Sequence, residues 1–470
     1  MKLNKAHLAA FLIVELIFIL VEAKGLTHIS PGDENVYYYM AKSITEGQLP
    51  YRNFFYAHPP LHIFILSFVI KIFGVNFAIL KSINLLALLV SSFFLYKTSV
   101  ELFKNRLNDK HAYLISILSL ILFLFSFEVM FKATFSLGIA FAFMFVMASF
   151  YFIFTHKYFT GGLLGGLAGL TRFYAVVPIL AVFIFIFAKK FQEGRTKDFF
   201  YMLLGFFVTF GVVITTIIIF FGNKFIDPAI NYHLLKLELP NQRFTVYKSV
   251  LGENWPLILT FFLSLFIKNK KRFQIFFFTV FVYMIFLLSL NVPTEFYFSL
   301  VFPFMAIVGA YSFTSLIMEI KLPKSIRYAV VFLIAAVFLW NTTADIMFME
   351  KIGFLEFSPL KQLADKISST NPSQKIFGDD AIIPLFALMS NRSIALNYID
   401  SNEKRFTSGL SNFYIFQNRL DDVNLSYIIF LKDKGLYQIE QFRQYAHTRC
   451  SLEKDYYDYV FGDILMYKCS

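Results

Sequence analysis

Long apolar blocks separated by short clusters of lysine and arginine constrain this chain more than any other feature. Blocks such as AHLAAFLIVELIFILVEA and YLISILSLILFLFSF approach the roughly 17–25 residues that cross a bilayer as a helix. The 470 residues are 57% hydrophobic and 16% charged, whereas soluble domains run near 45–50% and about 25%. The chain therefore reads as a polytopic α-helical membrane protein. Its first block lacks a small-residue cleavage site and is expected to remain as a helix. The net charge of +12 gathers at helix ends, which orients spans in lipid and does not call for nucleic acid as a partner.

Topology follows from the basic clusters around Lys2 and Lys5; Lys104, Arg106 and Lys110; Lys157; Lys189, Lys190, Arg195 and Lys197; Lys268 to Arg272; and Lys321, Lys324 and Arg327. Placing all six in the cytoplasm resolves two ambiguous segments. PPLHIFILSFVIKIFG, broken by Pro59, Pro60 and Gly74, becomes an interfacial or re-entrant helix after a first span at about 6–24. The next span runs from about 76 to 103. TGGLLGGLAGLTRFYAVVPILAVFIFIFAKK becomes two helices that turn at Thr171-Arg172, with Arg172 at the outer mouth. Gly161, Gly162, Gly165, Gly166 and Gly169 sit at helical spacing and invite close approach by a neighbouring helix. Further spans are expected at about 112–127, 133–154, 199–222, 255–268, 273–290, 294–316 and 326–347, giving about eleven crossings. A large first outer loop, 25–75, belongs to this membrane domain, 1–347. Residues 348–470 alternate helix and strand signals and read as a small extracytoplasmic α/β domain.

That domain holds the only two cysteines, Cys450 and Cys469. Outside the cytoplasm they are a possible disulfide; two independent small apolar side chains are the alternative.

The outer loop carries the chemistry. In GDENVYYYMAKSITEGQLPYRNFFYAHPP, Asp33 is placed to cap a helix with Glu34 in its first turn. Tyr37, Met40 and Ala41 would share a face along the membrane surface. Arg52 and His58 follow. A carboxylate, a nearby imidazole and Arg172 suit activation of a hydroxyl beside a phosphorylated lipid: the acid takes a proton and the cations hold phosphate. His58 and His62 form an H-x-x-x-H pair, but no third ligand is evident and prolines intervene, so a packed His62 is the better reading and no metal or other cofactor is inferred. His233, Glu238 and Arg243 read as a solvated loop. Glu22 lies near the outer end of the first helix, while Glu15 needs a buried partner.

The loop, followed by FGVNFAILKSINLLALLVSSFFLYKTSVELF, resembles the first outer loop and second span of GT-C glycosyltransferases. The protein O-mannosyltransferases, the aminoarabinose transferases of lipid A and RgtA-like transferases are the groups it is most similar to. GLAGLTRFYAVVPILA is similar to their Gly-Leu-x-x-x-Thr-Lys/Arg segment, and TEFYFSLVFPFMAIVGAY to their late span. The QKIFGDD domain is common among prokaryotic members. The resemblance implies an inverting transferase of cell-envelope glycosylation. It would move a sugar from a polyprenyl- or dolichyl-phosphate carrier to a hydroxyl of a protein, lipid or polysaccharide on the outer face. By position, Asp33 matches the base on the acceptor and Glu34 its partner; His58, Arg172 and Tyr297 match the donor-phosphate side. Glu128, Glu295 and Arg52 are weaker candidates. A secondary transporter or lipid flippase is the competing class; it would need ionisable groups near mid-membrane and paired broken helices, whereas here the unusual polar residues gather at one face.

Overall fold

The computed structural model describes residues 5–29, 31–104, 109–193, 196–236, 242–267, 273–319, 323–353, 358–458 and 462–469. Glu238 and several of the basic-cluster residues, among them Lys2, Arg106, Arg195 and Lys268 to Arg272, lie outside them. The chain divides into two compact units. One comprises Met1–Leu26, Lys81–Thr215 and Glu238–Met349; the other Thr27–Leu80, Thr216–Leu237 and Glu350–Ser470. The sequence-derived boundary after residue 347 falls beside the last of these breaks, but the first outer loop groups with the carboxy-terminal segment.

The first unit is helical. Across the described residues four helices are long and apolar enough to cross a membrane, Phe77–Phe103, Phe173–Gln192, Lys197–Phe221 and Glu295–Ile317, or five if the bent pair Gln242–Glu253 and Trp255–Phe266 makes one span. The expected count of eleven also needs shorter apolar helices such as Ile139–Phe154 and Gln274–Ser289. The span expected from residue 133 begins instead at Ile139, after Gly138 in the left-handed region (φ 77°). Residues 133–138 are irregular because Asn84 and Arg172 satisfy their carbonyls: Asn84 Nδ2 donates to Ala133 O at 2.8 Å, and Arg172 to Leu137 O. Glu15 finds its partner in the Ser92 hydroxyl, which donates to it.

The break expected at Thr171-Arg172 is present. The Tyr158–Thr171 helix ends at Arg172 in extended conformation (φ −149°, ψ 126°), and a second helix resumes at once. The Thr171 hydroxyl turns back to donate to Ala168 O at 2.6 Å. The glycine row before the break serves as expected. A Cβ on Gly162 would stand 2.0 Å from Met202 O, and one on Gly205 2.2 Å from Phe159 O, so the Tyr158–Thr171 and Lys197–Phe206 helices touch backbone to backbone.

In the second unit, four strands form one sheet in the order β1-β2-β4-β3: β1 Lys375–Gly378, β2 Leu425–Leu431, β3 Cys450–Asp458 and β4 Gly462–Cys469. β1 and β2 are parallel and the other pairs antiparallel. Every residue of β2 is buried, as its unbroken apolar run LSYIIFL demands of a strand covered on both faces. The hairpin reaches back to Cys450, which faces Cys469 across the ladder, and the two form a disulfide. Helix Ser358–Ser368 precedes β1 and helix Ile383–Ser390 follows it. The carboxy-terminal segment is thus a small α/β fold. In the outer loop, Leu61–Phe73 is a separate short helix ending at Gly74 (φ 70°); at ~1.5 Å per residue it reaches about 20 Å, too short for the ~30 Å of hydrocarbon.

Gly162→Val is expected to destabilise the protein by about 2–3 kcal/mol, because a rigid backbone carbonyl cannot yield to the branched side chain. Thermal unfolding in detergent, beside Gly252→Val, where nothing lies within 4 Å of the added Cβ, measures it.

Candidate active site

Asp33 opens the helix Asp33–Thr45, but not as its cap. The cap position belongs to Gly32 (φ 144°), which has no side chain with which to cap the first turn. Asp33 is the first helical residue, where a carboxylate still meets the positive end of the helix dipole. The Gly32 amide is taken from outside, donating to Ala381 O at 2.7 Å. The expectation of an amphipathic helix on the membrane surface is likewise corrected: residues 34–41 are all buried. One side packs on Leu61–Phe73 and another on Ile383–Ser390, so the aromatic run YYY fills a protein interior.

Glu34 is buried, and the Tyr38 hydroxyl one turn on donates to it at 3.4 Å. Tyr37 turns the other way, towards imidazoles. Its ring centroid is 5.8 Å from that of His58 and 5.2 Å from that of buried His62. His233 closes the group, 5.4 Å from His58, and its Nε2 is 2.7 Å from Ala57 O. The turn before His58 is held in an unfavourable conformation. Tyr51 is a bulky residue at φ 66°, kept there by burial against Phe225 (4.9 Å) and by its hydroxyl donating to His58 O at 2.6 Å. Such a conformation persists only where the surroundings over-determine it. Arg52, beside it, is exposed.

Acids and bases that the sequence reading did not single out surround Asp33 in this unit. Asp379 is structural: it accepts from the Leu431 and Leu436 amides, both at 2.6 Å, and burial still raises its pKa to about 7. Asp380 accepts from Asn402 Nδ2 at 3.2 Å. Burial, reinforced by Asp400, Asp33, Asp379 and Glu403, holds the Asp380 carboxyl well above the ordinary range. Burial also raises Asp400, against the pull of Arg405 and Lys236. Arg405 donates to Asp400 O at 2.5 Å, and its guanidinium lies 4.0 Å from the rings of both Phe55 and Tyr398. Lys236 is pushed down to about 8 by burial and by Lys404, although Asp400, Asp33 and Glu403 oppose this. Lys236 has no signal in sequence: one lysine in an apolar-polar loop looks solvated until the fold encloses it. The acids of QKIFGDD directly follow β1, and nothing local names their neighbour.

The other candidates belong to the first unit. Arg172 is buried and bonded to Leu137 O. Two residues on, Tyr174 packs on Tyr297 with centroids 4.7 Å apart, and the Tyr283 hydroxyl donates to Tyr297 O at 2.9 Å. Tyr297, expected on the donor-phosphate side with Arg172, thus packs on a residue two positions along the chain from that arginine. Glu128 lies in a short helix, Phe127–Lys132, between the spans. It is buried, and its amide donates to Asn254 Oδ1 at 3.2 Å. Its pKa rises to about 7 through burial, with Glu253 and Glu295 adding to the rise and Lys132 opposing it. Glu128 and Glu295 are thus near one another, as two weak candidates in one acidic group. Among the described residues no group of three His, Cys, Asp or Glu side chains is arranged to hold a metal ion.

Residues 57–219 match the family model described as dolichyl-phosphate-mannose-protein mannosyltransferase. No curated protein matches the chain significantly. Two solved structures of ArnT from Cupriavidus metallidurans match it at TM-score 0.66, covering 98% of this chain and 97% of theirs. One, bound to undecaprenyl phosphate, is 11% identical; the other, in the apo state, is 12% identical. The chain shares the fold of ArnT.

Glu128→Gln should raise stability at neutral pH. The folded protein keeps a proton on Glu128 up to about pH 7, while the unfolded chain releases it near the ordinary value of 4.5. Stability therefore falls as pH rises through that window, by about 3 kcal/mol at most. Melting temperatures between pH 4.5 and 7.5 should fall in the parent and stay flatter in the variant.

Proposed function

We propose that the protein is a polyprenyl-phosphate-sugar-dependent glycosyltransferase. It transfers one sugar, with inversion, to a hydroxyl of a protein, lipid or polysaccharide on the non-cytoplasmic face. The observation that carries this reading is the ArnT-like fold spanning 98% of the chain, with Asp33 at the start of a buried outer-loop helix. The undecaprenyl phosphate held by the ArnT structure supports a polyprenyl-phosphate carrier here, and the family model over residues 57–219 supports a glycosyl donor.

In this reaction the acceptor hydroxyl gives its proton to Asp33 as its oxygen attacks the anomeric carbon from the face opposite the carrier. The bond to the phosphate oxygen breaks, and the lipid phosphate leaves with the electron pair. Cations stabilise the charge gathering on that phosphate. Arg172 is the first candidate; His58 could act only in its protonated form. Glu34, which accepts from the Tyr38 hydroxyl, is the adjacent partner of the base.

Asp33→Asn is expected to reduce transfer by about 10²–10⁴-fold while leaving donor binding and thermal stability intact. Since Gly32 and not Asp33 occupies the cap, a purely structural role predicts little change. Arg172→Ala should weaken apparent donor affinity as well as turnover, and Glu34→Gln should be milder than either. A donor-titrated assay on the three variants distinguishes them. Near-normal turnover by Asp33→Asn would remove the base.

The orientation is tested separately. Cysteines at the exposed positions Thr45 and Lys361 should react with an impermeant maleimide in intact cells, and one at the exposed Glu193 should not. Labelling at 193 alone would invert the topology and exclude the proposed site from the outer face.

A further inference from the structure

The outer-loop helix is seated on the carboxy-terminal segment at three points of the second unit. The Gly32 amide donates to Ala381 O at 2.7 Å. Half-way along, the Ile394 amide donates to the hydroxyl of buried Tyr39 at 3.0 Å, and at the far end Lys42 Nζ donates to Asn391 Oδ1 at 3.1 Å. The first contact is the informative one. Asp33 follows one of its residues directly and Asp380 precedes the other, so the bond that fixes the helix start also brings these two residues near one another, and Asp33 is among the charges that act on Asp380. Asp380 is held in turn by Asn402 at 3.2 Å and is only partly accessible.

We propose that Asp380 is a positioning residue for Asp33: the carboxy-terminal segment clamps the start of the Asp33–Thr45 helix and presents Asp380 as a neutral hydrogen-bond donor to the Asp33 carboxylate. This rests on Asp33 being the base of the reaction proposed above. The groups facing Asp380 explain why it keeps its proton. Asp379, Asp400 and Glu403 approach from its own segment and Asp33 from the helix, and together with burial they push its carboxyl well above the ordinary range. Of the cations close by, Arg405 acts on Asp400, and Lys236 acts on both Asp400 and Asp33. Neighbouring carboxyls cannot all ionise in an enclosed site, and the more enclosed one takes the proton. A carboxylic acid kept neutral in this way can donate a hydrogen bond that a carboxylate cannot. Asp33 is thereby oriented by a group from a distant part of the chain.

The proposal separates from a structural role because a carboxyl held protonated costs stability. The unfolded chain releases the proton above the ordinary value of 3.8 and the folded one keeps it, so folding becomes less favourable as pH rises above that value. Three variants of the full-length protein in detergent test it: Asp380→Ala, Asp380→Asn and Asp33→Asn. The donors are tritium-labelled lipid-linked sugars extracted from the membranes of the source cells, and the acceptors are the membranes themselves. Asp380→Ala should lower kcat by about tenfold or more with donor KM within about threefold, and its melting temperature at neutral pH should not fall. Asp380→Asn keeps a neutral donor and should retain at least about a third of kcat. Three outcomes overturn the proposal: full activity in Asp380→Ala, equal damage in Asp380→Asn and Asp380→Ala, or a loss of activity that tracks a fall in melting temperature. Asp33→Asn reports on the transferase reading itself. If it retains turnover, or if the parent transfers nothing, that reading fails independently of how the two Asp380 variants rank.

Discussion

Backbone amides and carbonyls in hydrocarbon have no water to turn to, and the irregular parts of the first unit are arranged around that demand. Residues 133–138 leave helical conformation, and side chains take two of the carbonyls this releases. Asn84 takes Ala133 and Arg172 takes Leu137. Arg172 reaches across because its own backbone is extended at a helix break. Two departures from helix thus satisfy one another, in keeping with the rule that non-helical backbone survives in a membrane only where protein covers it. Asn254 performs the same service for the Glu128 amide. The arginine expected to serve a phosphate therefore also has a structural bond, so its substitution must be read with stability measured alongside.

Close helix approach follows from the same economy. Lipid offers no hydrophobic drive for one helix to prefer another over acyl chains, so contact area and backbone proximity must supply it. The glycine row in the Tyr158–Thr171 helix does this on two sides: Gly162 faces Met202, and Gly161 faces Ser149 and Ile153. That row immediately precedes the break at Arg172, so the segment holding the arginine is anchored by its tightest packing.

The second unit concentrates ionisable groups where they cost stability. Asp380, Asp400 and Lys236 are each displaced from their ordinary titration range by burial, and Tyr51 adds a strained backbone. Such groups cluster at functional sites more often than at purely structural ones. Here they gather around a helix whose first residue is the proposed base.

The sequence by itself determined the class of protein, the break at Thr171-Arg172, the short helix after Pro59-Pro60, and the strands of the α/β segment. Each rests on a local signal: apolar length, charge at helix ends, a proline pair, a buried run such as LSYIIFL. It also pointed to Asp33, through its place in the loop. Only the tertiary structure decided that the Asp33 helix is buried, that Gly32 takes the cap position, and that Asp380, Asp400 and Lys236 lie near Asp33. Those facts depend on hydrogen bonds such as Gly32 to Ala381, between residues remote in sequence. Periodicity cannot register them, because hydropathy reports which residues avoid water and not which distant residue covers them.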